Sequence, residues 1–137
     1  MLVLPTLPEP MRRRGGKIQK PLARPVKRLY VYLAGPYSYP DVAWNVNEAM
    51  RMSEVLLEEG FIPFTPHLYH MWHLIQPHSY DFWIKLSSRW ITKCDAVLRV
   101  QGISSGADKE VEYAVEKKVP VFYSLRELVE WRDKLNE

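Results

Sequence analysis

The chain has 137 residues, of which 47% are hydrophobic and 26% charged, which is typical of one soluble globular domain. Its only cysteine, Cys94, excludes an internal disulfide, and no apolar run reaches the roughly 18 residues that a transmembrane helix requires. The net charge of +3 is uneven, because residues 1–28 hold eight bases and one acid whereas the rest holds eleven bases and fifteen acids. We therefore predict a cytoplasmic domain, residues 28–137, preceded by a basic, proline-rich and flexible tail, residues 1–27. We expect no membrane contact, and nucleic-acid binding only through that tail.

Four short apolar segments predict β-strands. The first, residues 28–36, is rich in tyrosine and closed by Gly-Pro. The second, residues 61–64, contains Pro63, which cannot donate to a strand ladder and so favours an edge position. The third and fourth cover residues 95–100 and 119–123.

Helical patterns alternate with these strands. Apolar residues recur at helical spacing in 41–60, in 80–93 and in the turn-and-helix segment 101–118. Ser124 is the predicted N-cap of a last helix that ends near residue 135. The segment 65–79, which contains histidine and proline, is interpreted as a loop.

Alternating strands and helices predict an α/β fold, with a flavodoxin- or Rossmann-like, mostly parallel sheet of four to five strands and helices on both faces. In such sheets ligands bind beyond the carboxyl ends of the strands, where the strand order reverses. Two glycine-containing turns follow strands at that end, "AGPYS" after the first and "GISSGAD" after the third. We expect both turns to face one crevice.

The second of these turns leads into a helix whose free N–H groups and dipole favour an anion. Ser104 and Ser105 supply hydroxyls and amides, and Gly106 permits a tight turn. The alternative is a simple capping box, with Ser105 as N-cap and Asp108 in the first helical turn.

Glu110 lies about one helical turn past Gly106. We expect the helix N-terminus to keep its carboxylate ionised, and an ionised carboxylate beside a sugar carbon can act as a nucleophile. The alternative is an ordinary surface glutamate. Tyr32, near the end of the first strand, has a hydroxyl that can donate to Glu110, but a strand tyrosine taken by itself favours the alternative, a core tyrosine.

His67, His70 and His73 stand three residues apart, a spacing that could bind zinc on a helix. No cysteine or acid accompanies them at ligand spacing, so we favour a pocket-lining loop in which one histidine, His67, touches substrate. Trp72 and Trp83 either stack on a base or pack in the core or a lid.

Three motifs, "YLAGPYS", "CDAVLRV" and "SSGADKEVEYA", resemble the nucleoside 2-deoxyribosyltransferase superfamily over residues 29 to about 124. That superfamily includes the 2′-deoxynucleoside 5′-phosphate N-hydrolases and uncharacterised phage-associated branches. The resemblance implies that Glu110 is the nucleophile, that Tyr32 orients it and that Ser104 binds a phosphate. The substrate-binding residues that we expect in addition are Gly35, Pro36, Ser105, Gly106 and His67.

One position departs from the family pattern. Eight residues before the aspartate of "CDAV", where the family usually has Asp or Asn to assist the leaving base, this chain has Ser87. Asp81 lies about two turns earlier on the same predicted helix and is the other acidic candidate. The resemblance otherwise implies a homo-oligomeric enzyme without metal or cofactor.

The predicted function is cleavage or exchange of the N-glycosidic bond of a (deoxy)nucleoside or its 5′-monophosphate through a covalent glycosyl-Glu110 intermediate. Ser104 favours the monophosphate, whereas "YLAGP" favours the transferases. One alternative is a nucleotide-binding module weakened in catalysis at Ser87. Another is a nucleic-acid-associated accessory protein that acts through the basic tail.

Overall fold

The computed structural model describes residues 28–137, so the predicted tail lies outside the described part of the chain. Parallel strands β1, β2, β3 and β4 alternate with helices α1 to α5. In chain order, these elements are β1 (Tyr30–Ala34), α1 (Val42–Glu58), β2 (Ile62–Phe64), α2 (Tyr69–Ile75), α3 (Tyr80–Ser88), β3 (Ala96–Arg99), α4 (Ser105–Glu116), β4 (Val121–Phe122) and α5 (Leu125–Leu135).

The four strands form one sheet in the order β2-β1-β3-β4, and each neighbouring pair is parallel. This is a flavodoxin-like α/β arrangement, as predicted. The strand order reverses between β1 and β3, so the carboxyl ends of these two strands define the expected ligand site. β2 is an edge strand, which suits Pro63 because its missing N–H would otherwise interrupt a central ladder.

Helices pack on both faces of the sheet. Successive side chains of β1 point to opposite faces, so this strand contributes to two buried clusters. Val31 and Leu33 join one buried cluster with Leu56 of α1 and Leu128 of α5. Tyr32 and Ala34 point to the other face, where they join a second cluster with Ala107 and Ala114 of α4. The alternation of β1 therefore directs Tyr32 towards the helix that carries Glu110.

Helix boundaries agree with their sequence signals at several points. Asp41 caps α1 by accepting a hydrogen bond from the N–H of Trp44, and Gly60, with φ of 92°, follows the end of that helix. Ser124 caps α5 as predicted, accepting from the N–H of Glu127.

Two boundary predictions were wrong. The segment 65–79 is not a loop, since it contains a short 3-10 helix (Pro66–Leu68) followed directly by α2. Pro66 is compatible with a helix because it stands in the first turn, where no N–H is required. The helix predicted over 80–93 ends at Ser88 and continues as a separate 3-10 turn (Ile91–Lys93).

Within residues 28–137, none of the helices combines the length and the apolar character that crossing a bilayer would demand.

Candidate active site

A pocket opens at the carboxyl ends of β1 and β3, between α4 and the α2–α3 segment. The pocket and its open mouth together span about 550 Å³, and the lining side chains are mainly aromatic and apolar, as in other small-molecule sites. We call it the Glu110 pocket. Its lining residues come from the turn after β1, the segment after β2, helix α3 and the start of α4: Gly35, Tyr37, Pro66, His67, Tyr69, His70, His73, Tyr80, Trp83, Ile84, Ser87, Ser104, Gly106, Ala107 and Glu110.

The two glycine turns meet, as predicted. Gly102 has φ of 128°, and a Cβ there would lie 2.6 Å from Cγ of Pro36, so a side chain is excluded both by conformation and by the proline ring. A Cβ on Gly35 would lie 3.3 Å from Cβ of Val100. These contacts fix the turn after β1 against the turn after β3. Gly35 lines the Glu110 pocket, whereas Pro36, which was expected to bind substrate, does not.

Tyr32 and Glu110 are in direct contact. The hydroxyl of Tyr32, on the α4 face of β1, donates a hydrogen bond to Oε2 of Glu110. Tyr32 is fully buried and Glu110 is only 4% exposed. Glu110 is thus not a surface glutamate. It is a buried carboxyl group that lines the pocket and is oriented by a hydroxyl donor.

The expectation that the helix N-terminus keeps Glu110 ionised needs correction. Burial raises the pKa of Glu110 to about 7, although the hydrogen bonds from Tyr32 and Ser87 and the charge of Arg99 act in the opposite direction. Glu110 is the sixth residue of α4, beyond the first turn in which the helix dipole is effective. Burial also raises the pKa of Tyr32 well above its usual value, so that Tyr32 stays protonated as the donor.

Ser87 lies beside the carboxylate, whereas Asp81 does not. The Oγ of Ser87, a residue only 3% exposed, is 3.5 Å from Oε2 of Glu110. Its hydroxyl has one proton, and the shorter contact, 2.8 Å, is to the carbonyl of Trp83 one turn earlier. Asp81 is exposed on α3, where it pairs with Lys85 at 3.1 Å, and is not among the residues that line the pocket.

The start of α4 differs from the predicted capping box. The N-cap is Ser104, whose Oγ accepts a hydrogen bond from the N–H of Ala107 at 3.0 Å, and not Ser105. Ser105 is exposed and does not line the pocket. Gly106 is buried at the second position of α4, and a Cβ there would lie 1.8 Å from the hydroxyl oxygen of Tyr80. The absence of a side chain at Gly106 therefore allows the hydroxyl of Tyr80 to approach α4 closely.

Arg99 is a site residue that sequence reasoning missed. It is only 8% exposed, and its guanidinium donates to the carbonyl of Val100, to that of Gly102 at 2.9 Å and to Oδ1 of Asp108 at 3.0 Å. One side chain thus ties the end of β3 to the first turn of α4. The sequence feature that could have indicated this role is an arginine at the end of an apolar strand, followed by an acidic residue in the first turn of the next helix.

The three histidines make separate contacts. Nε2 of His67 donates a hydrogen bond to the carbonyl of Pro36 at 2.9 Å, so in the neutral ring Nδ1 carries no proton. Nδ1 is buried and has no hydrogen-bond partner among residues 28–137. Burial lowers the pKa of His67. Nδ1 of His70 is 2.6 Å from the hydroxyl of Tyr37, and Nδ1 of His73 accepts from the Trp83 indole at 2.8 Å. Within the described residues, no group of three histidine, cysteine or acidic side chains could hold a metal ion.

The two candidate tryptophans differ in position. Trp83 lines the pocket and stacks on Tyr69, with ring centroids 5.4 Å apart. Trp72 contacts Trp83 edge-on at 5.3 Å and is not among the lining residues. A flat ligand in the pocket can therefore contact Trp83, whereas Trp72 packs against Trp83 outside the pocket lining.

Comparison with known proteins adds a family and a fold. A family model described as "Domain of unknown function (DUF7768)" matches residues 29–124. No match is found among curated proteins. Among solved structures, the chain is similar to a 2-deoxyribosyltransferase from the psychrotolerant bacterium Bacillus psychrosaccharolyticus, with 20% identity, a TM-score of 0.52, and 67% of this chain and 69% of that chain covered. At this identity the likeness supports the α/β fold.

Proposed function

The chain belongs to the DUF7768 family, and from the buried carboxyl group in its pocket we propose that it cleaves or exchanges the N-glycosidic bond of a nucleoside. The observation that carries the proposal is Glu110, which is only 4% exposed, is oriented by the Tyr32 hydroxyl and lines a pocket at the carboxyl ends of β1 and β3. The fold similarity to a 2-deoxyribosyltransferase supports a nucleoside as the substrate. A 2′-deoxy sugar suits the reaction because it lacks the electron-withdrawing 2′ hydroxyl that opposes cation formation.

Glu110 is the proposed nucleophile. The hydrogen bond from Tyr32 goes to Oε2, and the Oγ of Ser87 is 3.5 Å from the same atom, which leaves Oε1 to attack the anomeric carbon C1′. The bond from Oε1 to C1′ forms as the bond from C1′ to the base nitrogen breaks, through an oxocarbenium-like transition state. The bonding electron pair stays on the base. Water, or the nitrogen of a second base, then attacks C1′ and releases Glu110, with net retention at C1′.

Protonation of the leaving base is the weak step of this site. Ser87 stands closest to the carboxylate, but its proton is directed to the carbonyl of Trp83 and a hydroxyl is a poor acid at neutral pH. A neutral purine or pyrimidine must therefore take its proton from water or from a protonated carboxyl group. We expect slow turnover of ordinary nucleosides and faster turnover of those whose base departs without a proton.

Aromatic residues form the proposed base subsite. Trp83 and Tyr69 present stacked rings in the pocket wall, and His73 is held to Trp83 by the indole N–H. A planar base gains from such faces because stacking and burial act together. The predicted homo-oligomer is part of the proposal, because apolar side chains beside the pocket are exposed and suit burial by a second copy: Leu68, Met71, Leu74 and Ile75.

The proposal is tested by incubating the protein with 2′-deoxynucleosides and their 5′-monophosphates, with and without a second base. Liquid chromatography then measures free base and exchanged nucleoside. Glu110→Gln should abolish both products, while the matched control Glu112→Gln, an exposed glutamate on the same helix, should leave them unchanged. Activity that survives Glu110→Gln would remove Glu110 as the nucleophile.

A binding module is the second candidate, and the position of Ser87 favours it. If the site lacks an acid for the leaving base, the pocket can hold a nucleoside or nucleotide without breaking it. Isothermal titration would then show saturable binding to the wild type, with no base released over days.

A further inference from the structure

Tyr80 of α3 and Gly106 of α4 lie in close contact in the Glu110 pocket. A Cβ on Gly106 would lie 1.8 Å from the Tyr80 hydroxyl oxygen, 2.9 Å from its Cζ and 3.0 Å from Cδ1 of Ile84. The tip of Tyr80 therefore rests on the Cα of Gly106, over the first turn of α4. A side chain at position 106 would displace the Tyr80 phenol, so the glycine allows the tyrosine its present position.

Tyr80 lies where the 5′ end of a bound sugar would point. Gly106 and Glu110 are four residues apart on α4, which corresponds to about 6 Å along the helix axis. That distance is similar to the length of a pentose from C1′ to its 5′ oxygen. With C1′ at Glu110 and the base at Trp83, a 5′ substituent that extends towards Gly106 would meet the hydroxyl of Tyr80, which also lines the pocket.

The surroundings do not suit a phosphate. No lysine or arginine of residues 28–137 is among the side chains that line the pocket. Arg99, the nearest buried cation behind the turn, is already paired with Asp108 and with two carbonyl groups. The N–H of Ala107 is bonded to Ser104. The backbone donors that remain at this terminus belong to Ser105, which does not line the pocket, and to Gly106, on whose Cα the Tyr80 phenol rests. A dianionic group here would meet a phenol ring and few free donors.

We propose that Tyr80 selects nucleosides with a free 5′ hydroxyl and excludes their 5′-monophosphates, an inference that rests on the proposed function of the pocket. The phenol hydroxyl exchanges a hydrogen bond with the 5′ hydroxyl of the substrate, and its ring occupies the space that a 5′ phosphate would need. Tyr80 is thus the specificity-determining residue that decides between the two substrate classes left open by the sequence. Ser104 acts as a helix cap and not as a phosphate ligand.

The test measures dissociation constants by isothermal titration for the common 2′-deoxynucleosides and their 5′-monophosphates. The wild type should bind each nucleoside at least about tenfold more tightly than its 5′-monophosphate, because the phosphate would lack hydrogen-bond partners in the pocket. Tyr80→Phe should weaken nucleoside binding by about fivefold, the size of one neutral hydrogen bond, without improving monophosphate binding. Tyr80→Ala should improve monophosphate binding and reduce the ratio by about tenfold or more. The control Tyr30→Ala changes a half-exposed tyrosine at the opposite end of β1 and should leave the ratio unchanged.

Four outcomes separate this inference from the proposed chemistry. A wild type that binds monophosphates more tightly, or a ratio that Tyr80→Ala leaves unchanged, overturns the role of Tyr80 even if Glu110 releases base. If the dissociation constants give the expected ratios but no base is released, the role of Tyr80 in selection is supported and the proposed glycosidic reaction is contradicted. Binding of neither ligand by the wild type overturns both. Circular dichroism and thermal unfolding confirm that the variants are folded, and Tyr80→Phe preserves the ring packing if Tyr80→Ala does not fold.

Discussion

The hydroxyl of Tyr32 on β1 donates a hydrogen bond to the carboxyl group of Glu110 on α4, and neither side chain is more than 4% exposed. The sheet and the helix thus meet through a polar pair within an otherwise apolar cluster. The hydrogen bond from Tyr32 offsets only part of the desolvation cost of the buried carboxylate. The pKa of Glu110 therefore stays raised, at about 7. Several consequences can be measured.

The first prediction concerns the pH dependence of activity. A nucleophile must be ionised, so kcat/KM should rise with pH through about 7 and not through the usual glutamate range near 4.5. The Tyr32 hydrogen bond lowers the pKa of Glu110, and Tyr32→Phe should therefore shift this rise to higher pH. A pH profile of initial rates measures both. A rise near pH 4.5 in the wild type would contradict the burial effect.

The second prediction concerns stability. The folded state holds the Glu110 proton up to about pH 7, whereas the unfolded chain releases it near 4.5, so the free energy of unfolding should fall as pH rises between these values. The fall attributable to Glu110 is at most about 3 kcal/mol. Glu110→Gln removes it and should be more stable than the wild type at pH 8, with the difference vanishing below pH 4.5. Urea unfolding measures the two curves, and Glu112→Gln should follow the wild type throughout.

The third prediction concerns Ser87. An aspartate at this position would stand about as close to Glu110 as the serine oxygen does, 3.5 Å, and two such carboxyl groups share a proton near neutral pH. Ser87→Asp should therefore speed release of adenine from 2′-deoxyadenosine by about tenfold or more. It should not speed release from an N7-methylated 2′-deoxyguanosine, whose base leaves without a proton. No gain with adenine, in a folded variant, would mean that another group already supplies the proton.

The fourth prediction concerns Arg99, a positioning residue that touches no substrate in the proposed mechanism. Arg99→Met keeps the unbranched stem of the side chain but removes the guanidinium, which leaves the carbonyl of Gly102 and the carboxylate of Asp108 without their donor. We expect a loss of about 2 kcal/mol in the free energy of unfolding. KM should rise more than kcat falls, because the turn that shapes the pocket loosens while Glu110 keeps its hydrogen bond from Tyr32. The control Arg126→Met, at an exposed ion pair on α5, should change neither quantity.

Much of the fold was predictable because its signals are local. The continuous apolar run of β1 and the helical pattern after Gly106 predict a buried strand and the helix that carries Glu110. The capping serine of α5 and the glycine after α1 needed no tertiary information. These local patterns alone favoured a core tyrosine at position 32, and the pairing of Tyr32 with Glu110 was expected from the family resemblance.

The remaining features depend on tertiary placement. Helix α2 escaped prediction because it buries none of its residues, so its apolar side chains carry no periodic pattern of burial. The Tyr80–Gly106 contact joins two elements whose separation no local pattern specifies. The protonation of Glu110 was misjudged because the cost of desolvation exceeds the influence of the helix dipole only once the surrounding structure is known.

The pocket has one fixed side and one loosely held side. The proline ring of Pro36 on Gly102 and the guanidinium of Arg99 join the turns after β1 and β3 at several points. Helix α2, on the other side, has no buried residue to anchor it. In the monomer, local opening should therefore begin at α2, which gives a released base its route to solvent and makes the amide protons of this helix exchange with deuterium before those of α1 and α4. A second copy seated on α2 would slow that exchange.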